Sequence, residues 1–424
     1  MSHLILVTGA TGYIASRLIP QLLKRGYRVR ALVRHPERLK ARKWYSQVEM
    51  VQGDVLQPAT LPLALDGVHT AYYLIHNMLS GRGFTSREIE GAHNFAQAAE
   101  NAAVEHIIYL GGLADPEQHI APHMRSRIET GKTLQAGKVP VTEFRAGIIV
   151  GSGSISFEMI RFMTELFPII PGPKWLKNKT QPIAAQNIMD YLLAALENHK
   201  GRGRVFEIGG PEIFTYQELM LSYARIRGYQ RSFLLLPYLP VWFMAFGIGL
   251  MTPVPRPIAH ALVGGLSSDS IVLHAEAREI YPEVLLIDFE ATVRQAMKRL
   301  HPLEIERVWD DGQNDVKVLK HEGFYIYHRE LTVAVPLEKI IETIKGLQSE
   351  VDVVESNHLL LNIRSKFGEG WLEWRMRNDS TLTQTAYFAP RGPGGFLYWY
   401  FLYPFQIWKY HNWIKTILRN SVVQ

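Results

Sequence analysis

The sequence has no cysteine among its 424 residues. This absence excludes disulfide bonds, thiolate metal ligands and cysteine nucleophiles, and no metal site is expected. Low-complexity tracts and internal repeats are also lacking, which indicates a folded protein throughout. Met-Ser-His leads directly into an apolar strand and leaves no room for the charged segment and cleavage site of a secretory signal. We therefore expect a cytoplasmic protein.

Strong clustering of charge is lacking as well. Charged residues make up 20% of the chain, and the net charge is +6. The basic residues are scattered except in residues 34–43, which hold Arg34, Arg38, Lys40, Arg42 and Lys43. Because no aromatic residues alternate with these cations, the run is interpreted as a solvated helix face, and no nucleic-acid partner is expected.

One long uncharged run is present, from Phe233 to Pro255, and it covers 23 residues. This length matches the roughly 20 apolar residues of a membrane span. Prolines near both ends leave only Val241–Met251 as an uninterrupted helix, which is too short to cross. We interpret the run as a buried or interfacial hairpin that forms a substrate lid, with peripheral contact to the inner membrane surface as the alternative.

The most informative pattern lies at the start of the chain, where an apolar strand over Leu4–Val7 turns through Gly9 and Gly12 into a helix. Such a turn places free backbone N–H groups and the positive end of a helix at one point, which suits a pyrophosphate. Ala15 is small enough for the close helix–strand packing that this turn needs. The pattern predicts a dinucleotide site.

Further strands follow at the spacing of βα units. They are predicted at Val29–Val33, Val48–Val51, Thr70–Ile75, His106–Leu110 and Val141–Ile149. Alternating strands and helices indicate an α/β fold with a doubly wound parallel sheet of the Rossmann type. Arg34 ends the second strand where an NAD site usually has an acidic residue, and its guanidinium matches a 2′-phosphate. NADP is therefore expected rather than NAD, with Asp54 and Val55 near the adenine.

These motifs resemble the atypical short-chain dehydrogenase/reductases of the NmrA-like, NAD(P)H-binding kind. The resemblance rests on Thr8-Gly9-Ala10-Thr11-Gly12-Tyr13-Ile14, Leu32-Val33-Arg34, Gly53-Asp54 and Ile89-Glu90-Gly91-Ala92-His93-Asn94-Phe95. It extends over nearly the whole chain to a bacterial subgroup with an added C-terminal domain of unknown function. The resemblance implies that the cofactor is bound by Gly9, Ala10, Thr11, Gly12, Tyr13, Ile14, Arg34, Asp54, Val55, Leu74, Gly111 and Arg127.

The sequence departs from this family at the catalytic positions. Active members use a serine after the fifth strand and Tyr-x-x-x-Lys on the next helix. Here the serine position is Gly111, and the helix carries His123 and Arg127 at the same spacing, one turn apart on one face. We interpret Arg127 as a ribose ligand and His123 as a proton donor weakened by the nearby cation. His76, after the fourth strand, is a second candidate, whereas Ser126 is expected to face another side of the helix.

Three parts are predicted: a dehydrogenase-like domain over 1–300 with its lid at about 151–290, a linker over 301–322, and a smaller α+β domain over 323–424. In the last part, strands are expected at Phe324–Val335, His358–Ile363, Gly370–Met376 and Thr381–Ala389, with a helix at Leu337–Leu347. This order resembles a shortened START-like helix-grip domain, which holds apolar ligands between sheet and helix. The aromatic segment Phe396–Trp413, interrupted by Pro404, is expected either to pack on the sheet or to anchor at a membrane interface.

The function expected from these features is hydride transfer between NADP(H) and an apolar carbonyl, quinone or enone. The alternative is a non-catalytic NADP(H) sensor or a lipid-binding scaffold, because serine, tyrosine and lysine are all replaced. A sugar-nucleotide epimerase is disfavoured, since the lost tyrosine base would damage that reaction most. The partner expected is an apolar small molecule, and no oligomeric state is indicated.

Overall fold

The computed structural model describes residues 3–40, 42–76, 83–115, 117–118, 120–237, 239–305, 323–332, 350–355, 358–378 and 381–423. The strands are β1 (Leu4–Thr8), β2 (Arg28–Val33), β3 (Glu49–Gln52), β4 (Thr70–Tyr73), β5 (His106–Gly112), β6 (Val141–Ala146), β7 (Ile149–Val150), β8 (Ile169–Pro173), β9 (Lys179–Thr180), β10 (Ile183–Ala184), β11 (Val205–Ile208), β12 (Phe214–Thr215), β13 (Ser232–Leu236), β14 (Tyr325–Thr332), β15 (Glu350–Glu355), β16 (His358–Ser365), β17 (Gly368–Asn378) and β18 (Thr381–Pro390). The helices are α1 (Tyr13–Lys24), α2 (Leu61–Leu65), α3 (Phe84–Asn101), α4 (Pro122–Gln135), α5 (Ile155–Leu166), α6 (Ala185–Glu197), α7 (Tyr216–Ile226), α8 (Val241–Met251), α9 (Arg256–Gly265), α10 (Glu276–Ile280), α11 (Phe289–Lys298) and α12 (Gly392–Val423).

The N-terminal part is built on a seven-stranded sheet in the order β11-β6-β5-β4-β1-β2-β3. All its neighbouring strands run parallel. The order reverses between β1 and β4, which is the switch point of a doubly wound sheet, where ligands bind beyond the carboxyl ends of the strands. The predicted fold class of this part is confirmed. Strand β11, at the edge beside β6, was not expected from the sequence.

Helices cover both faces of this sheet because each presents a stripe of apolar residues to it. Leu18, Ile19 and Leu22 of α1 are fully buried on one face together with residues of α6. Phe95 of α3 and Leu134 of α4 are buried on the other face. The basic run at 34–43, expected to be a helix face, contains a four-residue 3-10 helix at Pro36–Leu39 among its described residues, and Leu39 turns into the core.

The predicted lid region folds as separate pieces. Within residues 151–290, α6 and β11 return to the main sheet, whereas α5, α8 and α9 cover the ends of the strands. Helix α8 has the bounds that the flanking prolines predict, Val241–Met251, and it packs against α9. No helix among the described residues is both long enough and apolar enough to span a bilayer.

The C-terminal part is a five-stranded antiparallel sheet in the order β14-β18-β17-β16-β15, followed by α12. Trp371 and Trp374 of β17 are almost fully buried. Strand β15 was not predicted. The predicted helix Leu337–Leu347 and residues 306–322 of the linker lie outside the described residues, and the helix-grip assignment stays a prediction.

Helix α12 continues through Pro404, so the expected interruption is wrong. A proline removes one backbone donor, and the turns on both sides can still persist when they are otherwise stabilised. Here the turn that holds Phe396 and Trp399 is fixed, because both side chains are buried against the sheet and α5. Pro20 is likewise accommodated inside α1.

The two parts meet along α5, which carries three fully buried charged residues. Arg161 Nε lies 2.6 Å from Glu158 Oε2, and Arg161 Nη2 donates to the Gly323 carbonyl at 2.5 Å. Glu165 accepts from the Tyr223 hydroxyl at 2.5 Å and from the Gly392 backbone N–H at 3.3 Å. Because both Gly323 and Gly392 belong to the C-terminal part, these bonds fix α5 between the two sheets.

Candidate active site

The turn between β1 and α1 depends on Gly9. Its φ is +64°, a backbone conformation that glycine adopts without steric cost. A Cβ on Gly9 would lie 2.7 Å from the Leu74 carbonyl oxygen, so a side chain at this position would collide with backbone after β4. The turn closes with a hydrogen bond of 2.8 Å from the Gly12 N–H to the Gly9 carbonyl.

Gly12 is the residue before the first turn of α1, and no side chain caps this end of the helix. The first N–H groups of a helix lack partners within it, and its dipole makes this end positive. A Cβ on Gly12 would lie 3.0 Å from the Gly9 oxygen. The two glycines therefore leave a cradle free of side chains at a helix end, and this cradle fits the pyrophosphate of a dinucleotide.

A cavity of about 370 Å³ extends from this cradle towards the lid. It brings together nine of the residues predicted from the sequence: Gly9, Gly12, Tyr13, Ile14, Leu74, His76, Gly111, His123 and Arg127. Its far wall is apolar and comes from three lid helices, with Met159, Ile160 and Met163 on α5, Met244 and Ile248 on α8, and Leu262 and Val263 on α9.

The remaining predicted cofactor residues do not line the cavity. Ala10 is buried in the core, and Thr11 lies in the turn itself. Arg34 is exposed just beyond the end of β2. Asp54 is half-buried and accepts from the Leu56 N–H at 3.0 Å, whereas Val55 is buried and accepts from Asn94 Nδ2 at 2.9 Å through its carbonyl. Asp54 and Val55 thus shape the loop after β3.

Arg127 lies along the floor of the cavity. Its Nη2 donates to the Leu110 carbonyl at 2.5 Å, and its own carbonyl accepts from the Tyr109 hydroxyl at 2.9 Å. A Cβ on Gly112 would lie 3.1 Å from Arg127 Cδ, so this glycine leaves room for the side chain. The guanidinium is anchored to the end of β5 and presents a fixed positive charge to the cavity.

Glu88 is a site residue that the sequence reasoning missed. Its side chain on α3 is 5% exposed and lies 2.9 Å from His76 Nδ1, while its second oxygen accepts from the buried Ser126 hydroxyl. The contact with Glu88 fixes the orientation of the His76 imidazole. Ser126 faces α3, as expected, and not the cavity. The sequence offered one indication of this role. Glu88 lies three residues before Gly91 and four before Ala92, so it belongs to the buried face of α3.

His123 is buried, with its imidazole against the backbone of α9: a Cβ on Gly265 would lie 3.0 Å from His123 Cε1. Burial lowers the pKa of His123 to about 4, with smaller contributions from His76 and Arg127. The pKa of His123 is therefore lowered, as predicted, but burial lowers it more than the Arg127 guanidinium does. Because this pKa lies well below 7, the neutral imidazole predominates at pH 7.

The lost serine has a steric explanation. A Cβ on Gly111 would lie 2.9 Å from Oε1 of Glu143, and a Cβ on Gly131 would lie 2.3 Å from Oε2 of the same carboxyl. Glu143 is fully buried, and burial raises its pKa. Arg145 Nε at 2.7 Å and Gln135 Nε2 at 2.6 Å hold it in place. A side chain at position 111 would therefore displace a buried, hydrogen-bonded carboxyl.

We expect Gly111→Ser to destabilise the protein by about 1–3 kcal/mol, the usual cost of overpacking, and not to raise activity. Urea unfolding of Gly111→Ser, Glu143→Ala and the double variant measures this effect. The double variant should lose less stability than the sum of the single ones, because Glu143→Ala removes the colliding atoms. Strictly additive losses would contradict the steric explanation.

The parallel sheet, its switch point and the glycine turn define a Rossmann-type domain. Residues 1–211 match the model of the NmrA-like family, so this part of the chain is an NmrA-like domain. Among curated proteins, the photosystem II assembly factor Ycf39 of Trieres chinensis is 26% identical over 51% of this chain and 66% of its own length. The chain thus spans just under two thirds of that relative.

A second relative, the (4-alkanoyl-5-oxo-2,5-dihydrofuran-3-yl)methyl phosphate reductase of Streptomyces griseus, is 27% identical over 61% of this chain and 85% of its own length. Among solved structures, the triphenylmethane reductase of Citrobacter sp. in complex with NADP(H) has a TM-score of 0.57 and 22% identity over 69% of this chain and 99% of that one. The NADPH-bound quinone oxidoreductase QOR2 of Escherichia coli has a TM-score of 0.56 and 19% identity over 69% and 99%. These structures share the fold of the NmrA-like domain.

Proposed function

We propose that this protein is an NADPH-dependent reductase of apolar acceptors, with quinones as the preferred class. The observation that carries the proposal is one cavity with the glycine cradle at one end and an apolar wall at the other. Such a cavity suits a dinucleotide and an apolar second ligand side by side. The activities of the relatives and structural neighbours, among them a quinone oxidoreductase and two further reductases, support the same class.

The cofactor is proposed to be held by three features. The Gly9–Gly12 cradle and the first turn of α1 bind the pyrophosphate. Arg127 donates to the ribose next to the nicotinamide, from its anchored position at Leu110. Arg34, exposed beyond β2, pairs with the 2′-phosphate and gives NADP its advantage over NAD. Bound NADPH would supply the hydride.

The protonation states at the cavity favour quinones and enones over simple ketones. A ketone that accepts hydride becomes a strongly basic alkoxide, which needs an acid in contact with its oxygen. A quinone becomes a weakly basic phenolate that takes its proton from solvent. Because His123 is neutral at pH 7, it stabilises a developing oxyanion as an N–H donor and not as an imidazolium acid. His76, oriented by Glu88, is the second polar group at this wall.

The test is NADPH oxidation followed with a panel of benzoquinones, naphthoquinones, enones and ketones. We expect quinones to be turned over at least tenfold faster than ketones. His123→Ala should lower kcat for quinones by about 10- to 100-fold, which is a typical loss of rate when a polar catalytic group is removed. NADPH binding should remain unchanged. His260→Ala is the matched control, because His260 is exposed on α9.

The rival function is a non-catalytic NADP(H) sensor. It is favoured by the closed serine position at Gly111, where no hydroxyl can enter without displacing Glu143. A wild-type protein that binds NADPH and oxidises none of it across the whole panel would replace the reductase by this sensor.

A further inference from the structure

Helix α8 is apolar on both sides. Met244 and Ile248 face inward and line the cavity. The opposite face is unusually exposed for large apolar side chains, and it consists of Trp242, Phe243, Phe246 and Leu250. Soluble helices normally place polar residues on their outer face. The outer face of α8 therefore lacks the composition of a surface that remains in water.

The first half of α12 has the same property. Phe396 and Trp399 are buried against the sheet and α5. The residues that point the other way are Leu397, Phe401, Phe405 and Trp408, and all of them are more than half exposed. They recur every three or four residues and so form one continuous stripe along the helix.

The two exposed faces meet. The Tyr400 hydroxyl donates to the Leu250 carbonyl at 3.3 Å, and the Tyr325 hydroxyl donates to the carbonyl of Met251. The end of α8 is thus joined to β14 and to Tyr400, which lies next to Phe401 of the exposed stripe in the sequence of α12. We call the eight exposed residues Trp242, Phe243, Phe246, Leu250, Leu397, Phe401, Phe405 and Trp408 the α8–α12 surface. Contiguous apolar surfaces of this kind mark interaction sites.

The segments that carry this surface have formal charges of one sign. The sequence contains no aspartate or glutamate between Glu218 and Asp269, which includes all of α8 and α9, and none after Asp379, which includes all of α12. Cations are present in both segments: the Arg256 guanidinium lies 4.6 Å from the centre of the Phe246 ring, and Lys415 is exposed on α12. The side chains of these two segments would therefore attract anionic headgroups.

We propose that the α8–α12 surface docks on an anionic lipid bilayer, with both helices lying in the plane of the interface. Tryptophan and tyrosine favour the headgroup region, and cations beside them pair with anionic lipids. A bilayer accepts an extended convex set of aromatic side chains without a complementary pocket. The composition of the surface therefore favours a lipid bilayer over a partner protein as the binding partner.

Docking would give the cavity direct access to the acyl phase. Helix α8 separates the two, because its inner face lines the cavity and its outer face belongs to the α8–α12 surface. An acceptor with a long isoprenoid or acyl tail partitions into the bilayer and reaches the cavity without crossing water. This part of the proposal rests on the proposed reductase function, whereas the docking itself does not.

The experiment is co-sedimentation of the full-length protein, without NADPH, with vesicles of phosphatidylcholine alone or mixed with phosphatidylglycerol. We expect binding to the mixed vesicles that weakens with salt. The triple variant Phe243→Ser/Phe401→Ser/Phe405→Ser should lower partitioning at least tenfold, because each buried phenyl ring favours transfer from water. Lys415→Glu should reduce the preference for phosphatidylglycerol.

The matched control is Leu63→Ser/Leu285→Ser, which removes equally exposed apolar residues from α2 and from the loop beside α6. Equal losses in the triple variant and this control would overturn the proposal, as would a wild-type protein that binds neither vesicle. Concentration-dependent dimers that the triple variant abolishes would instead identify a contact between copies. Turnover of a short-chain soluble quinone should be unchanged in the triple variant. This measurement distinguishes a failure of the proposed reductase function from a failure of the proposed docking.

Discussion

Gly9→Ala is expected to remove NADPH binding almost completely. The methyl group would force an alanine to φ near +64° and would lie 2.7 Å from the Leu74 carbonyl oxygen, so the turn must open and the N–H groups of the cradle must move. The strained conformation alone costs about 1–2 kcal/mol. Displacing several charge-assisted hydrogen bonds to the pyrophosphate should lower affinity by roughly 100-fold or more. Thermal shift and equilibrium titration with NADPH and NADH measure the loss for both cofactors.

Two matched variants separate the cradle from general effects. Gly26→Ala places a methyl group at φ +82° with no atom within 4 Å, so it carries the same backbone strain without a collision and should leave cofactor affinity unchanged. Arg34→Ala should weaken NADPH by about tenfold or more and NADH hardly at all, since one charged hydrogen-bonding partner of the 2′-phosphate is lost. If Arg34→Ala weakened the binding of NADPH and NADH equally, the proposed preference for NADP would be contradicted.

Stability is expected to fall steeply as the pH drops below about 6.5. Burial lowers the pKa of His106 to about 3 and that of His123 to about 4, whereas both titrate near 6.5 in the unfolded chain. As the pH falls, the unfolded chain takes up these protons first, and folding loses free energy until the folded-state pKa is reached. Between pH 6.5 and 5 each histidine should cost about 2 kcal/mol.

Urea midpoints measured between pH 7.5 and 5 test this expectation. His106→Gln should flatten the profile, because the amide can keep a hydrogen bond to Thr142 Oγ1, now 2.8 Å from His106 Nε2, and cannot be protonated. His69→Gln is the control, because His69 is partly exposed and the neighbouring Glu105 raises its pKa against the lowering effect of burial. A His106→Gln profile parallel to that of the wild type would contradict the assigned folded-state pKa.

Local sequence patterns were sufficient to predict the doubly wound sheet and the glycine turn at one end of the cavity. Strand periodicity, the two glycines and the prolines around α8 each act through neighbours in the chain, so their effects can be read directly. His123 and Arg127 both line the cavity, which agrees with their spacing on one face of α4, whereas their roles stay predictions. These elements were placed correctly within a few residues.

Contacts between distant segments could not be read in this way. Glu88 meets His76 and Ser126 because α3 packs on α4, and Glu143 reaches Gly111 because β5 and β6 are neighbours in the sheet. Strand β11 has only four residues and lies within the residues that were assigned to the lid, so it was not recognised as a strand of the main sheet. Pro404 was expected to interrupt α12, but burial of Phe396 and Trp399 fixes the turns before it.

Helix α5 joins the two parts of the protein through buried hydrogen bonds to Gly323 and Gly392. Met159 and Met163 form part of the cavity wall, whereas Arg161 lies between them on the opposite face of α5 and donates from its buried guanidinium to the Gly323 carbonyl. A chain cut before Gly323 would leave that cation short of a partner in the core and would loosen the wall on the other side of the same helix. The cavity wall on α5 is thus held in place partly by the C-terminal part of the chain, although no described residue of that part lines the cavity.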